Sequence, residues 1–333
     1  MHFNLKTFVK VVFFLSLGVF FIWIFLRGLT AEQKNEIIQH FKEADYRWIL
    51  LSVLIGLVSH ISRTVRWQML LEPLGKKPRF INAFMALIIA YFANLAVPRL
   101  GEVARCSILQ RYEKIPFEKS FGTVVTERAL DLLVFFVSFI LAIIWHRDKF
   151  SLIKETSVFQ NLIEKYHAFM QTGLTQWVVI LLLVLAAFLL FRFRKRFARF
   201  AFVRKILDVV EGLLEGIKSL GKVKSPFWFV IHTLFIWAMY WLMTWVVFFS
   251  LPGTAHLDLS VALLVLVFGT IGIILVQGGI GIYPLLVTEV LMMFGVSKTT
   301  GYAMGWLLWT GQTLMIIVAG TIAMVLLPLI NKK

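Results

Sequence analysis

Nine stretches of this chain are too apolar and too long to sit together in the core of a soluble domain. They cover residues 8–26, 48–71, 81–97, 121–145, 177–191, 227–249, 261–276, 284–294 and 302–327. Each is a continuous run rather than a period-two alternation, which excludes a transmembrane barrel and predicts helices. Of the 333 residues, 59% are hydrophobic and 16% charged, whereas an ordinary soluble domain is about a quarter charged. Too few polar groups remain to cover a soluble surface. The fold class is therefore an all-α polytopic membrane protein, read as a single domain over 1–333.

The chain carries 34 Lys and Arg against 18 Asp and Glu. In a soluble protein this excess would point to nucleic acid; in a membrane protein it points to cytoplasmic loops and anionic lipid headgroups, and no nucleic-acid partner is expected. The run at 8–26 is too long for a signal-peptide core and lacks a small-residue cleavage site, so it reads as an uncleaved first span. Residues 32–45 mix charges with helical spacing and read as an interfacial helix.

The densest basic tract is 192–225, with ten Lys and Arg; it should be cytoplasmic, as should both termini. That holds only if 81–97 does not cross. If the chain enters there, breaks at 98–101 and returns through 112 to the same face, every basic region lands inside. The same device fits 261–294, broken at Gly278–Gly281 and entering from the opposite face. The expectation is about six full crossings plus two oppositely oriented re-entrant hairpins, 81–112 and 261–294. Irregular backbone survives at membrane depth only where protein buries it or water reaches it. Paired interrupted segments point to a transporter-like site near the midplane.

Ionisable side chains inside the runs cost about 2.5–3.5 kcal/mol each on insertion scales, so they must be paired or face water. Arg63 and Arg66, next to Trp67, share a helix face. They read either as snorkelling to the inner headgroups or as a clamp on a lipid phosphate. Around the first break stand Asn94, Pro98, Arg99, Gly101, Glu102 and Arg105. Glu102 falls in the first turn of the helix after the break, a favourable place for an anion. Glu127 and Asp131 are four apart on one face, with Arg128 beside them; their available partners are Arg63, Arg66, Arg99 and Arg105. At the second break, Gly278, Gly279 and Gly281 permit close backbone approach. The helix from Pro284 offers free N–H groups, with Glu289 further along. Each group also has a purely structural reading, as a turn, a break or a charge network that locks helices together.

Enzyme signatures are missing: there is no HExxH, no GxSxG and no Walker motif. One cysteine, Cys106, excludes an internal disulfide and a CxxC pair, and the seven histidines are scattered. No cofactor or metal is expected.

In order along the chain, Arg63-x-x-Arg66-Trp67, Asn94 with Pro98-Arg99-x-Gly101-Glu102-x-x-Arg105, Glu127-Arg128-x-x-Asp131 and Gly278-Gly279-x-Gly281 form a set. The set resembles the lysylphosphatidylglycerol synthase transmembrane region. That region is the flippase-like membrane domain of the multiple peptide resistance factor proteins and their stand-alone relatives. The resemblance covers about 8–328. It implies lipid translocation in a bacterial or archaeal cytoplasmic membrane, with an aminoacylated phospholipid as the best-known cargo. Aminoacylating members carry a further cytosolic transferase domain that is not present through Lys333, so lysyl transfer is not expected. Stand-alone relatives are associated with varied lipids and with glycan assembly.

The expected activity is movement of a polar-headed lipid, whether an anionic or aminoacylated phospholipid or a polyprenyl-linked lipid. The phosphate would dock on Arg63, Arg66, Arg99, Arg105 and Arg128. Glu102, Glu127 and Asp131 would fix those cations or hold a cationic moiety. Ion coupling would run through Glu289 or Asp131. Two other readings stand beside it: an intramembrane enzyme acting on a lipid phosphate, and a scaffold for a partner glycosyltransferase. A homodimer is an allied expectation.

Overall fold

The computed structural model of the chain describes residues 16, 19–23, 25–75, 77–97, 99–149 and 223–332. The expected spans at 8–26 and 177–191 and the basic tract 192–225 fall mostly or wholly outside these residues, as does Pro98. Among the described residues all regular structure is helical, and nine α-helices and three short 3-10 turns lie wholly within them. They are α1 (Ala31–Glu43), α2 (Tyr46–Leu71), α3 (Phe80–Ala96), α4 (Leu100–Glu113), α5 (Phe117–Trp145), α6 (Pro226–Val247), α7 (Leu259–Leu275), α8 (Ile282–Met292) and α9 (Lys298–Ile330).

The helix starts follow local chemistry. Thr30 and Gln33 form a reciprocal capping box on α1. Asp45 caps α2, Asp258 caps α7 and Ser297 caps α9, each satisfying N–H groups that a first turn leaves unpaired. Pro226 occupies the first turn of α6, where its missing N–H costs nothing.

Four helical segments are long and apolar enough to cross a membrane: Tyr46–Leu74, Phe117–Trp145, Pro226–Ser250 and Lys298–Ile330. The helices flanking the two breaks are shorter, with 17 residues in α3, 14 in α4, 17 in α7 and 11 in α8. At 1.5 Å per residue the longest of these reaches about 26 Å, against about 30 Å of hydrocarbon.

Each short pair doubles back on itself. A Cβ at Gly101 would collide with the Ala90 carbonyl, so α4 lies directly along α3, and the Asn94 side chain accepts from the Gly101 N–H at 2.7 Å. Across the second break, a Cβ at Gly269 would strike the Tyr283 ring; α8 returns along α7. The first break holds Arg99 at φ 65°, a left-handed conformation that L-residues rarely adopt. The second holds Gly278, Gly279 and Gly281, all at positive φ, where glycine carries no such penalty.

The long helix α9 runs beside both pairs. Near its end, Asn331 exchanges amide hydrogen bonds with Asn82 at the start of α3, and Asn82 also donates to Glu113 at the end of α4 at 2.5 Å. Near its start, Thr300 meets His40 of α1 at 3.1 Å and lies against Gly253 in the loop before α7. The bases of the two pairs therefore sit at opposite ends of α9. The largest core cluster joins α7, α8 and α9; a second gathers Trp67, Leu71, Ala83, Cys106, Leu109 and Val124. Cys106 is thus a packing residue. Large apolar side chains remain exposed along α2, α5, α6 and α9, the outward face expected of helices solvated by lipid rather than water.

Candidate functional site

Charged side chains of three helices converge in the first half of the protein. On α2, Arg63 and Arg66 lie one turn apart; on α5, Glu127 and Asp131 lie one turn apart; α4 adds Arg105. Glu127 Oε1 accepts from Arg63 Nη1 at 3.0 Å and lies 3.4 Å from Arg66 Nη2, and its Oε2 accepts from Arg105 Nη2 at 2.5 Å. Asp131 Oδ1 accepts from Arg66 Nη2, and Arg63 Nη2 lies beside Oδ2 as an ion pair without a hydrogen bond, both at 2.8 Å. Arg66 is fully buried and Glu127 nearly so.

Buried ions are tolerated only when paired with good geometry. Here three guanidiniums enclose two carboxylates. The remaining positive charge rests against aromatic faces: Arg105 lies 4.3 Å from the Trp67 ring centre, Arg63 5.8 Å from that of Tyr240 and Arg66 5.8 Å from that of Phe229. Trp67 is held in turn by Thr123, which accepts from its indole N–H at 3.0 Å. The Nε atoms of Arg63, Arg66 and Arg105 are buried without a hydrogen-bond partner, an unrelieved cost within the cluster.

A second, more open pair stands one residue along. Arg128 Nη2 donates to Glu102 Oε1 at 2.9 Å, so α4 and α5 are joined twice, by Arg105–Glu127 and by Glu102–Arg128. Arg128 also borders a cavity of about 380 Å³ where the tips of the two hairpins meet. From the first hairpin come Tyr91, Asn94 and Leu95; from the second, Thr270, Gly278 and Tyr283. Tyr240 and Thr244 of α6, with Trp309 and Gln312 of α9, close the remaining sides. Arg128 is the only Lys, Arg, Asp or Glu among the described lining residues. Trp309 donates its indole N–H to the Gly278 carbonyl at 2.5 Å, tying α9 to the second tip.

The expected site residues thus divide. Arg128 and Gly278 line the cavity, with Glu102 behind Arg128. Arg63, Arg66, Arg105, Glu127 and Asp131 form the buried cluster and are not among the lining residues. Arg99 is exposed at the first break, and Gly279 and Gly281 shape the second. Glu289 is exposed on α8 and does not border the cavity. Tyr91, Tyr240, Trp309 and Gln312 were not singled out from sequence. They are neutral groups within apolar runs, and only the convergence of α3, α6 and α9 distinguishes them. Among the described residues no group of three or more His, Cys, Asp or Glu is placed to hold a metal ion.

The family model described as the lysylphosphatidylglycerol synthase TM region matches residues 8–320. The chain belongs to this family. A UPF0104 membrane protein of Pyrococcus horikoshii is 24% identical over 298 residues, covering 85% of this chain and 87% of the relative. A UPF0104 membrane protein of Methanocaldococcus jannaschii is 28% identical over 104 residues, 30% of this chain and 31% of that protein. The glycosyltransferase AglD of Haloferax volcanii is 28% identical over 100 residues, 30% of this chain and 16% of its own length. The chain therefore matches less than a third of either of these last two proteins. No solved structure matches it. The residues of both hairpins, the buried cluster and the cavity wall all lie within the matched range.

Proposed function

We propose that the protein is a carrier that moves a polar-headed lipid between the leaflets of a bacterial or archaeal cytoplasmic membrane. The observation that carries this reading is the cavity at the meeting of two broken hairpins, bordered by one guanidinium and otherwise by neutral polar, aromatic and apolar groups. A headgroup crossing hydrocarbon without partners is strongly opposed by desolvation. A cavity of this composition lowers that barrier while the acyl chains stay in the bilayer. The buried cluster acts as the lock that fixes α2, α4 and α5 behind it.

The same reading makes the two hairpins re-entrant. Their helices are too short to cross, and their bases stand at opposite ends of α9, which supports opposite entry. Counting the expected spans at 8–26 and 177–191 gives six crossings, with both termini and the base of the first hairpin on the cytoplasmic side.

Arg128→Gln tests it. Purified protein in vesicles with labelled lipid should exchange that lipid between leaflets without making a new species, and Arg128→Gln should abolish exchange while the protein still folds. Unchanged exchange in the variant would overturn the assignment of the cavity. New chemical species would replace the carrier with an intramembrane enzyme. One relative is named a glycosyltransferase, which favours a second reading: support of such a partner enzyme without transport. Neither exchange nor chemistry in vesicles would favour it.

A further inference from the structure

The cavity's charge inventory identifies what kind of headgroup it suits. The carboxylates nearby are already engaged: Glu127 is held by Arg63, Arg66 and Arg105, Asp131 by Arg63 and Arg66, and Glu102 by Arg128. Across both groups four guanidiniums face three carboxylates, so the field around the site is positive. The cavity wall itself presents Arg128 and no Asp or Glu among the described lining residues. Glu102 uses only Nη2 of Arg128, and a guanidinium has five N–H donors, so donors remain for a phosphate. The other polar groups of the wall are uncharged donors and acceptors, among them Tyr91, Tyr240, Thr270, Gln312 and Thr313.

We propose that this cavity takes an anionic phosphodiester headgroup bearing uncharged hydroxyl groups, and discriminates against a cationic, aminoacylated one. The inference rests on the reading of the cavity as a headgroup site and narrows it to a class. An ammonium placed there would lie beside Arg128 on a wall that presents no carboxylate; the second oxygen of Glu102 has no hydrogen-bond partner, but it is buried behind Arg128 and Glu102 is not among the lining residues, and a like-charge contact is costly. Aromatic faces are the remaining way to hold an ammonium, but these rings are committed. Tyr240 already faces Arg63 at 5.8 Å, Tyr91 packs on His60 with ring centres 4.9 Å apart, the Tyr283 ring lies against Gly269, and Trp309 is fixed to Gly278 and packed edge-to-face with Trp306. Hydroxyls meet the neutral groups of the wall without such a conflict.

The test uses the full chain in discs of phosphatidylcholine. It is titrated with dioctanoyl phosphatidylglycerol, dioctanoyl lysylphosphatidylglycerol or free glycerol phosphate, and binding is read from tryptophan fluorescence. Phosphatidylglycerol should bind about tenfold more tightly than its lysyl ester, or better, and more tightly than glycerol phosphate. Arg128→Lys should keep the preference and Arg128→Gln should lose it. If Arg128→Gln does not fold, the comparison of the two lipids on the unaltered chain still decides. Equal or tighter binding of the lysyl lipid overturns the proposal, and glycerol phosphate binding as tightly as the lipid overturns its lipid part. Leaflet exchange separates the two claims. Preference in binding with no exchange sinks the carrier and leaves this inference standing; equal exchange of both lipids does the reverse.

Discussion

Asn82 and Asn331 are 249 positions apart and hold each other by two amide hydrogen bonds of 3.0 and 2.8 Å. Asn82 is fully buried, and the pair ties the base of the first hairpin to the end of the last helix. Asn82→Ala leaves Asn331 and Glu113 without this partner. It should lower stability by about 1–3 kcal/mol, read as a fall in melting temperature in detergent.

Glu127 and Glu102 both accept from arginine, yet their loss should differ sharply. Glu127→Gln leaves three buried guanidiniums around one carboxylate, Asp131, and should cost about 3–5 kcal/mol. Removing Arg105 as well should return part of that loss, which a double-mutant cycle measures. Glu102→Gln acts on a more open pair, with the arginine side chain 47% and the carboxylate 19% exposed, and should cost less than Glu127→Gln.

The hairpin's tightness makes a separate prediction. At Gly101 an added methyl meets the Ala90 backbone, whereas at Gly122 it meets nothing within 4 Å. Gly101→Ala should destabilise by about 1–3 kcal/mol. Gly122→Ala, in the interior of α5, should be neutral or stabilise by up to about 1 kcal/mol. Equal effects in thermal melts would contradict the close approach of α3 and α4.

Asp258 lies outside the spanning segments, and its carboxyl is held below the ordinary range. The Ser260 hydroxyl is the main cause; the backbone N–H groups of Val261 and Ser260 and the charge of His146 add to it, against partial burial. A depressed folded value means that the cap's contribution is complete above the unfolded value and is lost as pH falls through the folded one. Melting temperature should therefore decline at acidic pH, and Asp258→Asn, which still caps at neutral pH, should flatten that decline.

Much of this architecture was legible in residue order because breaks and charges are loud signals. Glycines at 278, 279 and 281 and the Asn94–Gly101 region announced interruptions, and Arg63, Arg66, Arg105, Glu127 and Asp131 had to find partners at membrane depth. Which partner each would take was not legible. Spacing places Glu127 and Asp131 on one face of α5 but does not reveal that α2 delivers two arginines to that face. So the five arginines expected around one phosphate separate into a sealed cluster, one cavity residue and the exposed Arg99. The cavity wall was hidden for a different reason. Tyr91, Tyr240, Trp309 and Gln312 carry no charge and follow no pattern, and their meaning comes only from helices far apart in sequence. Glu289 drew notice as a rare acid in its region, but rarity says nothing about which way a side chain faces.

The position of α9 bears on any motion the molecule makes. One helix of 33 residues is fastened to the first hairpin near its C-terminal end and, near its start, bonds α1 through His40 and lies against the loop before the second hairpin, with Trp309 gripping the second tip between them. The two hairpins hang from a shared rail. Any stroke that widened the gap between their tips would have to reckon with that rail, and the Trp309 indole on the Gly278 carbonyl is a fastening it would strain.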